Sequence, residues 1–145
     1  DPSSTVGIVD AQGETRPFFI LRVTSYDATF RGMLSWEPTM AHDLAGLYPP
    51  YPAPAATIIA TSTATSTAAH ATSTPATLAS ASVASAPQFI DEVVDNHDVR
   101  ALKDAYGRSV LLYGYYDEQT LIIARDEASF DEIIGRLGAT VKQGS

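Results

Sequence analysis

The stretch PFFILRV (Pro17–Val23) decides how this chain folds. Phe18, Phe19, Ile20, Leu21 and Val23 leave almost no polar position, so neither face of the strand they form can be left to water. Such a strand belongs inside a sheet. Pro17 stands at its start, where a missing N–H is tolerated.

The segment around it is too small to fold alone. TVGIVD (Thr5–Asp10) reads as a strand, AQGE as a turn and RPFFILRVTS as the second strand of a hairpin. Ser25 can cap a following helix whose apolar face is Tyr26, Phe30, Met33 and Leu34, with Asp27 in its first turn. Pro38 is expected to end or kink that helix and to start another turn carrying Met40, Leu44 and Leu47. YPPYPAP (Tyr48–Pro54) then stops any helix. One hairpin and one broken helix in about 50 residues bury too little apolar area to offset chain entropy. The strand at 17–23 therefore needs partners from further along the chain.

C-terminal to these lies ATSTATSTAAHATSTPATLASASVASAP (Ala60–Pro87), alternating Ala, Ser and Thr with a single His70 and no carboxylate or lysine. It has too little apolar mass to pack. It reads as a flexible loop, or as an O-glycosylated stalk-like segment, which is the composition such segments have. After it, QFIDEVVDN reads as a short amphipathic helix with Phe89, Ile90, Val93 and Val94 as its stripe and Asp91, Glu92 and Asp95 as its polar face. VRALKD, RSVLLYGYYD and TLIIARD read as strands, with a turn at AYG. Asp126 can cap a last helix with the stripe Phe130, Ile133, Ile134 and Leu137, and Gly138 as its stop. A shift of about 100 positions sets DATF over EASF and Met33-Leu34 over Ile133-Ile134, which suggests a strand, turn, strand, helix unit used twice.

The expectation is an α+β fold: one mainly antiparallel sheet of about five strands with helices on one face, interrupted by a long Ala/Ser/Thr-rich insertion. Residues 1–145 form one domain, built from 5–50 and 88–140, with 51–87 an inserted low-complexity loop. Loop-closure cost grows only with the logarithm of length, so an insertion of this size is tolerable.

Composition excludes several functions. A net charge of −8 and a pI near 4.6 oppose nonspecific binding to nucleic acid or anionic lipid. The absence of cysteine removes disulfides, thiolate metal sites and a cysteine nucleophile. No apolar run is long enough to insert in a membrane. The chain begins at Asp1 rather than Met, which reads as a processed or excised product and leaves room for a preceding signal peptide or anchor.

Candidate chemistry is sparse. In DEVVDNHDVR, Asp91 and Asp95 are spaced to share a helix face, and with His97 they could meet a divalent ion or form an acid/base site. No HExxH or calcium-loop spacing supports that, and a solvated helix face explains the same residues. His42 and Asp43 are adjacent, which on a helix prevents one from orienting the other. Ser25, Ser35 and Ser109 lack a G-x-S-x-G context, and there is no phosphate loop or dinucleotide fingerprint. No cofactor is implied. In LLYGYYDE, Leu111, Tyr113 and Tyr115 alternate onto one sheet face, and Leu112, Gly114 and Tyr116 onto the other. Tyr113, Tyr115 and Tyr116 are candidates for contacting a partner, or for packing under a helix with hydroxyls at the rim.

SYDATFRGMLSWEPTM (Ser25–Met40) and DVRALKDAYGRSVLLYGYYDEQTLIIARD (Asp98–Asp126) resemble parts of uncharacterised membrane-anchored proteins of uncultured bacteria, whose soluble part follows a transmembrane helix and carries Ala/Pro/Ser/Thr-rich linkers. The resemblance implies an extracytoplasmic, envelope-associated position and no defined activity. The functional expectation is a noncatalytic binding or assembly domain whose partner is a protein or envelope component. The alternatives are a small hydrolase or metal-dependent enzyme using the 91–98 cluster, and a cytoplasmic inhibitor-like partner domain. Free sheet edges could also pair between chains, giving a homodimer.

Overall fold

The computed structural model describes residues 3–55 and 86–143. The low-complexity loop expected over 51–87 falls for the most part outside them. The elements are β1 (Ser4–Ala11), β2 (Glu14–Arg22), α1 (Tyr26–Asp43), β3 (Gln88–Val94), β4 (His97–Lys103), β5 (Ser109–Asp117), β6 (Thr120–Ala124) and α2 (Glu127–Gln143). All strands join one antiparallel sheet of six in the order β1-β2-β6-β5-β4-β3. The fold is α+β, and strands from both sides of the Ala/Ser/Thr stretch share the sheet.

The strand that requires this arrangement is β2, which pairs with β1 on one side and β6 on the other. Phe18 and Ile20 pack on one face and Phe19 and Leu21 on the other. Pro17 costs the sheet nothing, because its register with β6 lies beyond the last paired residue and its carbonyl accepts from the Tyr48 hydroxyl at 3.1 Å. Two hairpins turn on paired left-handed residues, Gln12-Gly13 (φ 57° and 79°) and Asp95-Asn96 (φ 45° and 62°), the geometry whose twist matches that of antiparallel strands.

The two helices lie on opposite faces, not on one. α2 presents Phe130, Ile133 and Ile134 to Val9, Val99, Ala101, Leu112, Ile122 and Ala124. α1 presents Met33 and Met40 to Leu102, Leu111, Tyr113, Leu121 and Ile123. This also disposes of the twofold unit. Each hairpin is followed by a helix, but residues opposed in an antiparallel pair such as Leu21 and Leu121 share a face, so a twofold between β2 and β6 would leave both helices on one side. The match at a shift of about 100 is between two amphipathic helix starts.

Three other local readings are corrected. Residues 88–94 are the strand β3, not a helix: the apolar residues at 89, 90, 93 and 94 fit either period, and the Asp95-Asn96 turn selects the hairpin. Of the two outcomes expected at Pro38, the ending does not occur: α1 runs through it, because that residue faces solvent and the carbonyl it leaves without a donor belongs to exposed Leu34. α2 continues past Gly138 to Gln143. The predicted caps are present. Ser25 accepts from Ala28 N at 3.4 Å, and Asp126 Oδ1 accepts from Ser129 N at 2.9 Å while its carboxylate also pairs with Arg16.

Candidate functional site

Between the N-terminal half of α1 and strands β3, β4 and β5 lies an open cleft of about 380 Å³. Its helix wall is Tyr26 and Phe30, stacked at 5.8 Å, with Tyr26 tilted against Tyr115 at 4.6 Å. Its sheet wall is built by alternation. Asp91 and Val93 of β3, Asp98 and Arg100 of β4, and Tyr113 and Tyr115 of β5 all point to the α1 face.

The polar centre is Glu37, placed in mid-helix between Met33 and Met40 on the face that α1 buries. Its two oxygens accept from Arg100 Nε and Nη2, each at 2.8 Å, the parallel geometry in which guanidinium and carboxylate fit best. Tyr113 donates to the same carboxylate at 2.8 Å, and Arg100 Nη1 reaches exposed Asp91 at 3.0 Å. The hydrogen bonds to Glu37 hold the Arg100 guanidinium well above the usual arginine range. Burial, then the Glu37 carboxylate, pushes the Tyr113 phenol up. Neither group is free to exchange protons near neutrality. The network is a charge-compensated wall, not an acid/base pair.

Tyr115 differs. Its hydroxyl is buried yet has no hydrogen-bond partner among the described residues, and burial followed by Tyr26 pushes its phenol up to about 12. A buried hydroxyl without a partner loses its hydration and gains nothing in return. Among the described residues it neither donates nor accepts, whereas Glu37, Arg100, Tyr113 and Asp91 beside it are paired.

The sequence-predicted metal candidates are not brought together. Asp91 is on the α1 face of β3, held by Arg100. Asp95 is in the β3–β4 turn, where its carbonyl lies 2.7 Å from His97 Nδ1. The His97 ring is on the α2 face, stacked on Tyr116 at 5.9 Å and edge-on to Phe130 at 6.4 Å. The shared helix face that would join Asp91 to Asp95 does not exist, since 88–94 is a strand. Among the described residues, no group of three or more His, Asp or Glu side chains could hold a metal ion.

The tyrosines divide as their alternation requires. Tyr113 is 1% exposed and spent on Glu37, Tyr115 borders the cleft, and Tyr116 lies on the opposite face with His97. His42 stands in solvent, with its Nδ1 3.5 Å from Asp43 Oδ1. Asp43 accepts from Trp36 Nε1 at 2.7 Å and Thr39 Oγ1 at 2.9 Å, which with burial opposing them hold its carboxyl low.

Sequence reasoning missed Glu37, Arg100 and Tyr48. A carboxylate seven residues from one end of a buried stripe, level with Phe30, Met33 and Met40, is the signal that could have found Glu37. Tyr48 is fully buried and donates to Pro17 O, so the YPPYP segment lies against the sheet instead of leaving it. Tyr51 follows, with the buried Arg125 guanidinium 4.0 Å over its ring.

Comparison with family models, with curated proteins and with solved structures finds no match to this chain. Among the described residues no helix is long and apolar enough to cross a membrane.

Proposed function

We propose that this chain is a noncatalytic, extracytoplasmic binding or assembly domain of an envelope-anchored protein, and that a protein or envelope component seats in the cleft beside α1. The observation that carries the binding role is the Tyr115 hydroxyl, buried in an aromatic wall and lacking a partner. A domain built only for stability gains nothing from that hydroxyl, and a phenylalanine would pack as well. The charge of the rim favours a basic ligand. Asp91 and Asp98 are exposed there, while Arg100 is compensated by Glu37 and Asp91. Tyr26, 42% exposed, offers a ring face to a cation. A lysine or arginine side chain on a partner protein fits both features. The extracytoplasmic position rests on the resemblance of the two folded segments.

NMR titration with short lysine- and arginine-containing peptides, and separately with cell-wall glycan fragments, tests this reading. Shifts confined to Tyr26, Asp98 and Tyr115 support it, and binding should weaken about tenfold in Tyr115→Phe, the equivalent of one hydrogen bond of about 1.4 kcal/mol. Shifts elsewhere, or affinity unchanged by Tyr115→Phe, would overturn it. Protease accessibility of the native protein in intact cells separates the envelope position from a cytoplasmic one.

A further inference from the structure

The sheet ends in two edges of different chemistry. β3 carries Asp91 and Glu92 in its middle, and self-pairing would bring those carboxylates together. β1, at the other end, is eight residues long with Asp10 as its one charge, and it has no proline or lysine to discourage pairing. Val6 and Ile8 are 64% and 70% exposed. They lie on the α1 face, opposite Phe19 and Pro17 of β2.

The ladder fixes which groups of β1 are unspent. Arg22 N donates to Ser3 O at 2.8 Å, so the residues at 3, 5, 7, 9 and 11 bond inward to β2. Ser4, Val6, Ile8 and Asp10 therefore turn their N–H and C=O groups outward. The two exposed apolar side chains belong to residues whose backbone pairs outward with no strand among the described residues.

We infer that two copies of this chain pair antiparallel through β1, about a twofold axis at Gly7, to make one continuous sheet. In that register Val6 lies opposite the second copy's Ile8 and Ser4 opposite the second copy's Asp10, so four branched side chains meet and no two carboxylates do. The four outward pairs would exchange about eight N–H···O bonds. Gly7 sits on the axis, and a Cβ there would come within 2.7 Å of the Phe18 ring that covers it, so that ring would have to shift. A twofold perpendicular to the sheet keeps both α1 clefts on one side of the dimer. Each chain carries −8, so the copies repel at long range and added salt should strengthen the pair.

Sedimentation velocity of the full chain tests this. The expected result is a mass of two chains that persists or grows with salt, and of one chain in Val6→Lys/Ile8→Lys, whose changed residues are solvent-exposed and whose circular dichroism should be unaltered. The chain has no cysteine, so Val6→Cys and Ile8→Cys chains prepared separately, mixed and oxidised should give a disulfide-linked heterodimer in preference to either homodimer. A single-chain mass at every concentration, a dimer that survives the double lysine change, or oligomers that grow without limit would each overturn the twofold β1 pairing.

Discussion

Under α2 the sheet presents Val99, Ala101, Leu112, Ile122 and Ala124, and the helix answers with Phe130, Ile133 and Ile134. Under α1 it presents Leu102, Leu111, Leu121 and Ile123 but also Tyr113, Tyr115 and Arg100, and the helix answers with Met33, Met40 and a carboxylate. The first face is close-packed enough that a Cβ on Gly114 would meet Val99 at 2.7 Å and Phe130 at 2.9 Å. The second leaves a cleft beside its helix, walled by aromatic and charged groups, and a hydroxyl with no hydrogen-bond partner among the described residues, whereas the α2 face opens at the margin of the sheet, beside Leu137 and Thr140. Under the proposed binding role the first face serves mainly stability and the second serves recognition as well, because close aliphatic packing beneath a helix leaves little for a ligand to contact.

That division can be broken at several points. Phe130 is fully buried against Gly114, so Phe130→Ala should cost about 3–5 kcal/mol by chemical denaturation. A loss as small as that of an exposed residue would show that the α2 face is not the stabilising one. Glu37→Leu strands Arg100 and should cost about 3 kcal/mol, whereas Glu37→Leu with Arg100→Met should recover most of it. Failure of the double change to recover would mean that the pair holds α1 in place rather than merely neutralising itself. Gly114→Ala should cost about 1–3 kcal/mol through overpacking against Val99 and Phe130.

A smaller effect concerns pH. Burial raises the Glu127 carboxyl, but hydrogen bonds from Lys103 and Ser109 outweigh it and leave it at about 2, against an ordinary 4.5. A lowered folded value means that the stabilisation is complete above 4.5 and is lost as pH falls through about 2. Acid titration of stability in Glu127→Gln should therefore be flatter over that window than in the parent chain. Last, Tyr115→Phe should leave stability unchanged or raise it by up to about 1 kcal/mol, since it removes a buried unsatisfied group. A loss of stability would show that the hydroxyl has a structural partner and would weaken the contrast between the faces.

Much of the fold was legible. The run at Phe18–Val23 demanded cover on both faces and drew the N-terminal hairpin into the sheet, and the alternation in LLYGYYD placed each tyrosine on its proper side. Ser25 and Asp126 announced their helices. Residues 88–94 were misread because four apolar positions spaced 89, 90, 93 and 94 satisfy a helix as well as a two-faced strand, and only the left-handed Asp95-Asn96 turn breaks the tie. The site was less legible. Asp91, Asp95 and His97 are close in sequence, but alternation sends Asp91 and His97 to opposite faces. Glu37, Arg100 and Tyr115 are up to about 80 residues apart in sequence, and only pairing brings them together.

The sequence by itself determined the elements other than β3, and the sidedness of β2 and β5, because periodicity and turn chemistry act over a few residues. The tertiary structure alone decided that the helices lie on opposite faces. That choice depends on how the links after β2 and β6 direct each helix, and on which half of the sheet each apolar stripe can cover. It also decided the cleft, since α1 covers β5 and β6 but leaves Asp91, Asp98 and the Tyr115 wall at its open margin. No local pattern encodes that margin, because it is the shape left when an 18-residue helix crosses part of a six-stranded sheet.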